Sequence, residues 1–414
     1  MTVVVALLNL AFLSGIAWWV WTRENSVMKK FYWPTLLIKL LAGIALGVIY
    51  STYYPNSDTF YFFNSAVQVS QQAHTDFTGY FNFLLSHSEG YFLGEARTMF
   101  FIKITSVVAL LTANNYWIAS LYFSLFSFFS AWWLTTSISR YFKEYELAAV
   151  IAFLLFPSCV FWSSGIVKES LAVAGLFCIT AVCLRIWVEN KITITGIVMV
   201  ILSIWVVWNL KYYYIGLFVP ILLTAWLTKR IISLWKIKSF GIEILLWAGM
   251  LIIGLVGASL THPNFFLSRV LEVIVSNNAS FLAASSPDNV IQYYHLDASW
   301  FSMLMNAPWA LFSGLFRPMI GEVDSIMQAA ASVENFILLI LTIWAAPSLR
   351  NLKKSPHRVL IISILAYSVI LCVFLALSTP NFGTLIRYRV GFLPFFVFLL
   401  VNRPFLTKPL SKFL

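Results

Sequence analysis

Long apolar runs joined by short polar stretches set the pattern of this chain. The runs are Val3–Trp21, Trp33–Tyr53, Trp117–Thr136, Leu147–Trp162, Ser170–Val188, Ile194–Trp208, Ile215–Leu227, Ile242–Leu260, Ala329–Ala346, Val359–Leu377 and Phe392–Val401, and none holds more than one charged residue. A helix needs roughly 20 apolar residues to cross the hydrocarbon core of a bilayer. Helices are also the form in which such a run satisfies its own backbone there. The pattern predicts an all-α, polytopic transmembrane helical bundle of about eleven spans, with up to about thirteen possible. Met99–Thr112 and Trp300–Phe316 are apolar enough to cross as well. Counting either as a full span inverts the later loops, so both are expected as interfacial or partly inserted helices. No soluble domain, linker or internal repeat stands out, and residues 1–414 are expected to form one transmembrane domain.

Composition agrees with the pattern. Only 10% of residues are charged and 60% are apolar, whereas a soluble surface calls for roughly 25% charged residues. The net charge of +11 would otherwise point to nucleic acid. The basic residues instead fall in separate clusters: Arg23/Lys29/Lys30, Arg140/Lys143, Lys229/Arg230/Lys236/Lys238, Arg350/Lys353/Lys354/Arg358 and Arg403/Lys408/Lys412. That distribution follows the positive-inside rule, so nucleic acid is set aside as a partner in favour of membrane lipids. Placing the clusters inside puts the N-terminus outside and the C-terminus inside. The outer side then holds a first long loop (54–98), a second long segment (262–324), and the short segments Ser163–Glu169, Asn209–Tyr214 and Ser378–Arg389. The first run lacks a basic leader and a small-residue cleavage site, so it reads as a retained helix. Cys159, Cys178, Cys183 and Cys372 show no metal-ligand or redox spacing and read as small core residues.

Chemistry is expected where acids and cations collect on the outer side. Asp58 follows directly on a spanning run and suits a general base at a membrane surface. It equally suits the start of the next helix, as does Ser57. Asp76, Glu89 and Glu95 are reserve acids in the same loop, while His74 and His87 are too far apart for a metal site. In Phe-Pro-Ser-Cys-Val-Phe-Trp-Ser-Ser-Gly-Ile-Val-Lys-Glu-Ser (Phe156 to Ser170), Lys168 and Glu169 open a helix after a turn. There Lys168 can meet a phosphate together with free N–H groups of the helix start, or can pair with Glu169 and snorkel. Lys211, in Asn-Leu-Lys-Tyr-Tyr-Tyr, is a weaker phosphate candidate within an aromatic belt. Arg317 and Glu322 flank a break imposed by Pro318 and Gly321, and Glu334 lies inside a spanning run. Arg387 and Arg389 stand on the side that positive-inside logic disfavours for cations, which points to an anionic ligand.

Taken in order from Asp58 to Arg389, these elements resemble bacterial members of the GT-C superfamily, the multi-pass glycosyltransferases and related surface-polysaccharide polymerases. The likeness rests on the acid after an early helix, the Phe-Pro-Ser…Trp-Ser-Ser-Gly…Lys-Glu block, Phe-Arg-Pro…Glu and Arg-Tyr-Arg. It implies a GT-C-like fold in the bacterial cytoplasmic membrane and a polyprenyl-phosphate- or pyrophosphate-linked sugar donor. It also implies transfer at the outer face to a saccharide or glycolipid acceptor, in envelope polysaccharide or glycoconjugate assembly. Asp58 would be the base, and Lys168, Arg317, Arg387 and Arg389 would meet the lipid phosphate, with Lys211 joining them on its local sequence alone. Glu169, Glu322 and Glu334 would support them. The sequence itself shows no metal motif and calls for no cofactor, although its scattered outer acids could hold a loosely bound divalent cation. The chain departs from the common pattern in having an extra helix ahead of the acidic loop and no paired acid there. The alternatives are a lipid-linked oligosaccharide polymerase of the same fold, a transporter or flippase of lipid-linked saccharide, and a non-catalytic scaffold.

Overall fold

The computed structural model describes residues 2–24, 27–54, 58–86 and 96–402. Glu89, Glu95, His87, Ser57 and the last basic cluster lie outside them. The chain is 84% helix with no strand among these residues, and eight helices are long and apolar enough to cross a membrane. It is a multi-pass membrane protein. Its internal contacts divide it into two compact units, residues 1–212 and 213–414, where the sequence predicts one domain.

The first unit holds α1 (Thr2–Arg23), α2 (Lys29–Thr52), α3 (Asp58–Thr75), α4 (Phe77–Leu85), α5 (Ala96–Leu111), α6 (Tyr116–Tyr141), α7 (Glu146–Ala149), α8 (Pro157–Trp162), α9 (Lys168–Glu189) and the start of α10 (Ile194–Trp235). Helices α6 and α9 pack along each other, α2 packs on α6, and α3 on α5. Local chemistry sets the ends. Asn115 accepts from Ile118 N to start α6, Asp76 accepts from Gly79 N to start α4, and Asn190 closes α9 in the left-handed region at φ 55°. That gives the reserve acid Asp76 a capping role.

One expected span is altered in this unit. Leu147–Trp162 is not one helix: α7 runs into a π-helical turn (Val150–Leu155), Phe156 is extended, and α8 begins at Pro157. Proline forbids the helical geometry of the residue before it, so the run divides there. Ile194–Trp208 and Ile215–Leu227 are the two arms of α10, whose 42 residues are about twice what one crossing needs, and they remain distinct helices as expected. Lys211, at φ −147° and ψ 66°, breaks the helical path between the two apolar runs. Met99–Thr112 is helical, as α5, and buries Phe101, Ile102, Thr105 and Ser106 within the unit.

The second unit holds the rest of α10, then α11 (Phe240–Ser259), α12 (Val270–Ala283), α13 (Trp300–Phe316), α14 (Ile326–Ala345), α15 (Arg358–Ser378), α16 (Phe382–Tyr388) and α17 (Leu393–Val401). Helix α13 packs on α15 and α14, and leaves Phe301, Leu304 and Met305 exposed. The last expected span, Phe392–Val401, is only the nine-residue α17, bent 69° from the preceding helical stretch Phe382–Gly391.

An ion pair unforeseen in the sequence ties α11 to α15. Buried Glu243 accepts from Arg358 Nε at 2.6 Å and from a second guanidinium nitrogen, while Arg358 Nη1 donates to Lys353 O at 2.7 Å. Removing one member strands the other. Glu243→Gln is expected to cost about 2 kcal/mol, read as a lower midpoint of thermal unfolding in detergent; an unchanged midpoint would show that the pair carries no stability.

Candidate functional site

The sequence-predicted residues fall into one group in each unit. In the first, Asp58 is the opening residue of α3 and is exposed. A carboxylate there is favoured by the helix dipole whatever else it does. One turn along, Phe62 lies on the same side of α3, and the Lys168 amine stands 5.0 Å from the centre of its ring. Lys168 Nζ also donates to Thr98 Oγ1 of α5 at 2.7 Å. The structure therefore brings Lys168 to the end of α3 that Asp58 begins.

Glu169 is fully buried, and its partner is Lys211, whose Nζ lies 2.9 Å from its carboxylate. Adjacent residues at a helix start point in different directions, so Lys168 turns to Thr98 while Glu169 turns inward. Lys211 is likewise a buried ion-pair member at the break in α10.

In the second unit the short outer motifs converge. Arg317 donates from Nε (2.9 and 3.0 Å) and Nη2 (2.6 Å) to Glu322, which also accepts from Met319 N at 2.9 Å. The same guanidinium stands 5.3 Å from the ring centre of Trp309 and 4.9 Å from that of Phe382. Arg387 and Arg389 are both buried, Arg389 fully, at the turn between α16 and α17. Arg389 Nη1 donates to Asn335 Oδ1 at 2.8 Å and to Leu315 O at 3.1 Å. Asn335 Nδ2 in turn donates to Pro318 O at 3.0 Å. Glu334, buried, is the neighbour of Asn335 midway along α14. Tyrosines hold the bend: Tyr214 donates to Tyr388 O at 2.7 Å and Tyr367 to Gly391 O at 3.0 Å. At Gly391 a Cβ would meet the Tyr214 ring at 2.4 Å, so glycine is required for that approach.

Burial works to raise the Glu322 pKa, but the hydrogen bonds from Arg317 and Met319 N–H, with the Arg317 charge, outweigh it and hold the carboxyl below its ordinary value. A depressed folded-state pKa contributes stability above the unfolded value of about 4.3, and that contribution is lost as pH falls through the folded one. Acidification below about pH 4 is therefore expected to release the Arg317–Glu322 clamp. Proteolysis of the 317–325 segment should rise in acid in the wild type and be pH-independent in Glu322→Gln. Equal acid sensitivity in the two proteins would assign the opening elsewhere.

Sequence reasoning passed over Lys39, Asn335, Tyr214 and Tyr367 as site residues. Lys39 had a signal, being the one charge in the run Trp33–Tyr53. The tyrosines had none, because in an aromatic-rich membrane protein they look like belt residues. Among the described residues no three His, Cys, Asp or Glu side chains group as a metal site. No protein-family model, curated protein or solved structure matches this chain.

Proposed function

We propose that this protein is a glycosyltransferase that takes its sugar from a polyprenyl-phosphate or pyrophosphate carrier at the outer face of a bacterial cytoplasmic membrane. The observation that carries this reading is the placing of the Lys168 amine over Phe62, one turn from Asp58 on α3. Transfer to a saccharide or glycolipid hydroxyl needs a base for the proton and a cation for the departing phosphate. Asp58 takes the hydroxyl proton, the oxygen forms a bond to the anomeric carbon, and the carbon–phosphate-oxygen bond breaks. The released lipid phosphate carries the negative charge that Lys168 stabilises. The buried arginines around the α16–α17 bend are a second concentration of cations, in keeping with an anionic substrate. The resemblance to the GT-C superfamily agrees with this chemistry and with the many membrane helices.

A second reading, translocation of a lipid-linked saccharide, is favoured by interrupted helices, which are common in transporters. The 69° bend between Phe382–Gly391 and α17 and the break at Lys211 are of that kind. Reconstituted vesicles given a labelled polyprenyl-phosphate sugar separate the two. A new glycosidic bond supports transfer, and label that changes leaflet without reacting supports translocation.

A further inference from the structure

Lys39 is a buried charge that neither reading uses. It lies midway along α2. An amine at that depth is costly unless it faces protein and finds acceptors. Its Nζ donates to Ser163 Oγ and, at 3.4 Å, to Val160 O. Both acceptors belong to the junction between α8 and α9. Helix α8 has only six residues, and its last carbonyls belong mostly to buried residues, so their donors must come from the protein. A cation at a helix C-terminus answers that need. Ser163 completes the arrangement by donating its own proton to Cys159 O.

The junction is gripped at a second point. Gly165 takes φ +71°, which turns the chain from α8 toward α9, and its N–H donates to Ser124 Oγ of α6 at 2.9 Å. One turn along α2 from Lys39, Gly43 lets this turn approach: a Cβ there would lie 2.2 Å from Ser124 Oγ and 3.3 Å from Gly165 N. Gly43 O accepts from Ser120 Oγ at 3.1 Å. Two spans, α2 and α6, thus hold an elbow that ends three residues later at Lys168.

We propose that Lys39 is a positioning residue: from α2 it clamps the Ser163–Val167 elbow and so fixes where Lys168 and Glu169 begin α9. The clamp stands on geometry alone, while its consequence for substrate rests on the transferase reading. Amide hydrogen exchange over 161–168 in detergent-solubilised full-length protein tests the clamp, with α6 peptides as the control. Lys39→Met and Ser163→Ala are each expected to speed exchange in the elbow about ten-fold, the loss of one charge-assisted hydrogen bond, with α6 unchanged. Elbow protection equal to wild type in both variants would overturn the proposal. Should Lys39→Met loosen α6 as well, Ser163→Ala decides in the same way. In the transfer assay, displacement of Lys168 from the departing phosphate should appear as a kcat per active enzyme lowered about ten-fold with KM for the lipid-linked donor less affected. A merely structural lysine would lower the amount of active protein and leave kcat per active enzyme alone, which also overturns it. If wild type transfers no sugar, the transferase reading falls and the exchange result still decides the clamp.

Discussion

Asp58→Asn is expected to abolish sugar transfer while leaving the protein folded and inserted. A general base typically contributes 10²–10⁴-fold, so turnover should fall by about three orders of magnitude or to background. Asparagine keeps the size and the hydrogen-bonding oxygen of aspartate and is itself a good residue at a helix start. The loss of favourable charge at the first turn of α3 should cost less than about 1 kcal/mol. This matters because Asp58 begins a helix and is exposed, which is also what a simple helix-start residue looks like. The two roles separate cleanly: helix stabilisation tolerates asparagine and proton abstraction does not. Product formation at the wild-type rate by well-folded Asp58→Asn protein would remove the residue from the chemistry.

Arg389→Ala is expected to be the most damaging single change to stability. The side chain is fully buried and joins three parts of the second unit: the end of α13 through Leu315 O, the middle of α14 through Asn335, and the bend that it occupies. Alanine strands two buried acceptors, each worth about 1–3 kcal/mol, and opens a cavity of side-chain size. The sum is about 3 kcal/mol or more. It should appear as a sharp fall in the fraction that remains monodisperse after heating in detergent. Asn335→Ala should give a smaller effect in the same direction, and the double variant should cost less than the sum, because the two share one bond. Strict additivity would show that the Arg389–Asn335 hydrogen bond carries no stability.

Much of the fold was legible because a bilayer writes itself into sequence as run length. Seven of the expected spans are recovered as separate helices, and two more are the arms of α10 on either side of the Lys211 break. The failures have local causes. Pro157 divides Leu147–Trp162 through its effect on Phe156. The two runs of α10 need no such correction, because Lys211 leaves the helical region and keeps them as two helices. The Phe392–Val401 run is apolar enough to cross, but the bend before α17 is set by tertiary bonds to Tyr388 and Gly391, which no local pattern records.

The site was legible as a list and not as a set of partnerships. Charged residues stand out against an apolar background, so Asp58, Lys168, Glu169, Lys211, Arg317, Glu322, Glu334, Arg387 and Arg389 could all be picked out by inspection. Which of them meet depends on packing between distant segments. Glu169 was read beside its neighbour Lys168 and pairs with Lys211. Arg317 and Glu322 were read only as flanking a break, and across it they form an ion pair. Lys39 was hidden by its own context, because a single lysine in an otherwise clean run does not disturb the reading of a span. Its acceptor Ser163 lies 124 positions away.

The most direct measurement is transfer itself. Purified protein in liposomes, given a polyprenyl-phosphate sugar labelled in the sugar and an acceptor glycolipid, should yield labelled glycoside and free polyprenyl phosphate in equal amounts. Both products should vanish in Asp58→Asn. Label that moves between leaflets with its bond to phosphate intact, or product that persists unchanged in Asp58→Asn, would contradict a glycosyltransferase built around that carboxylate.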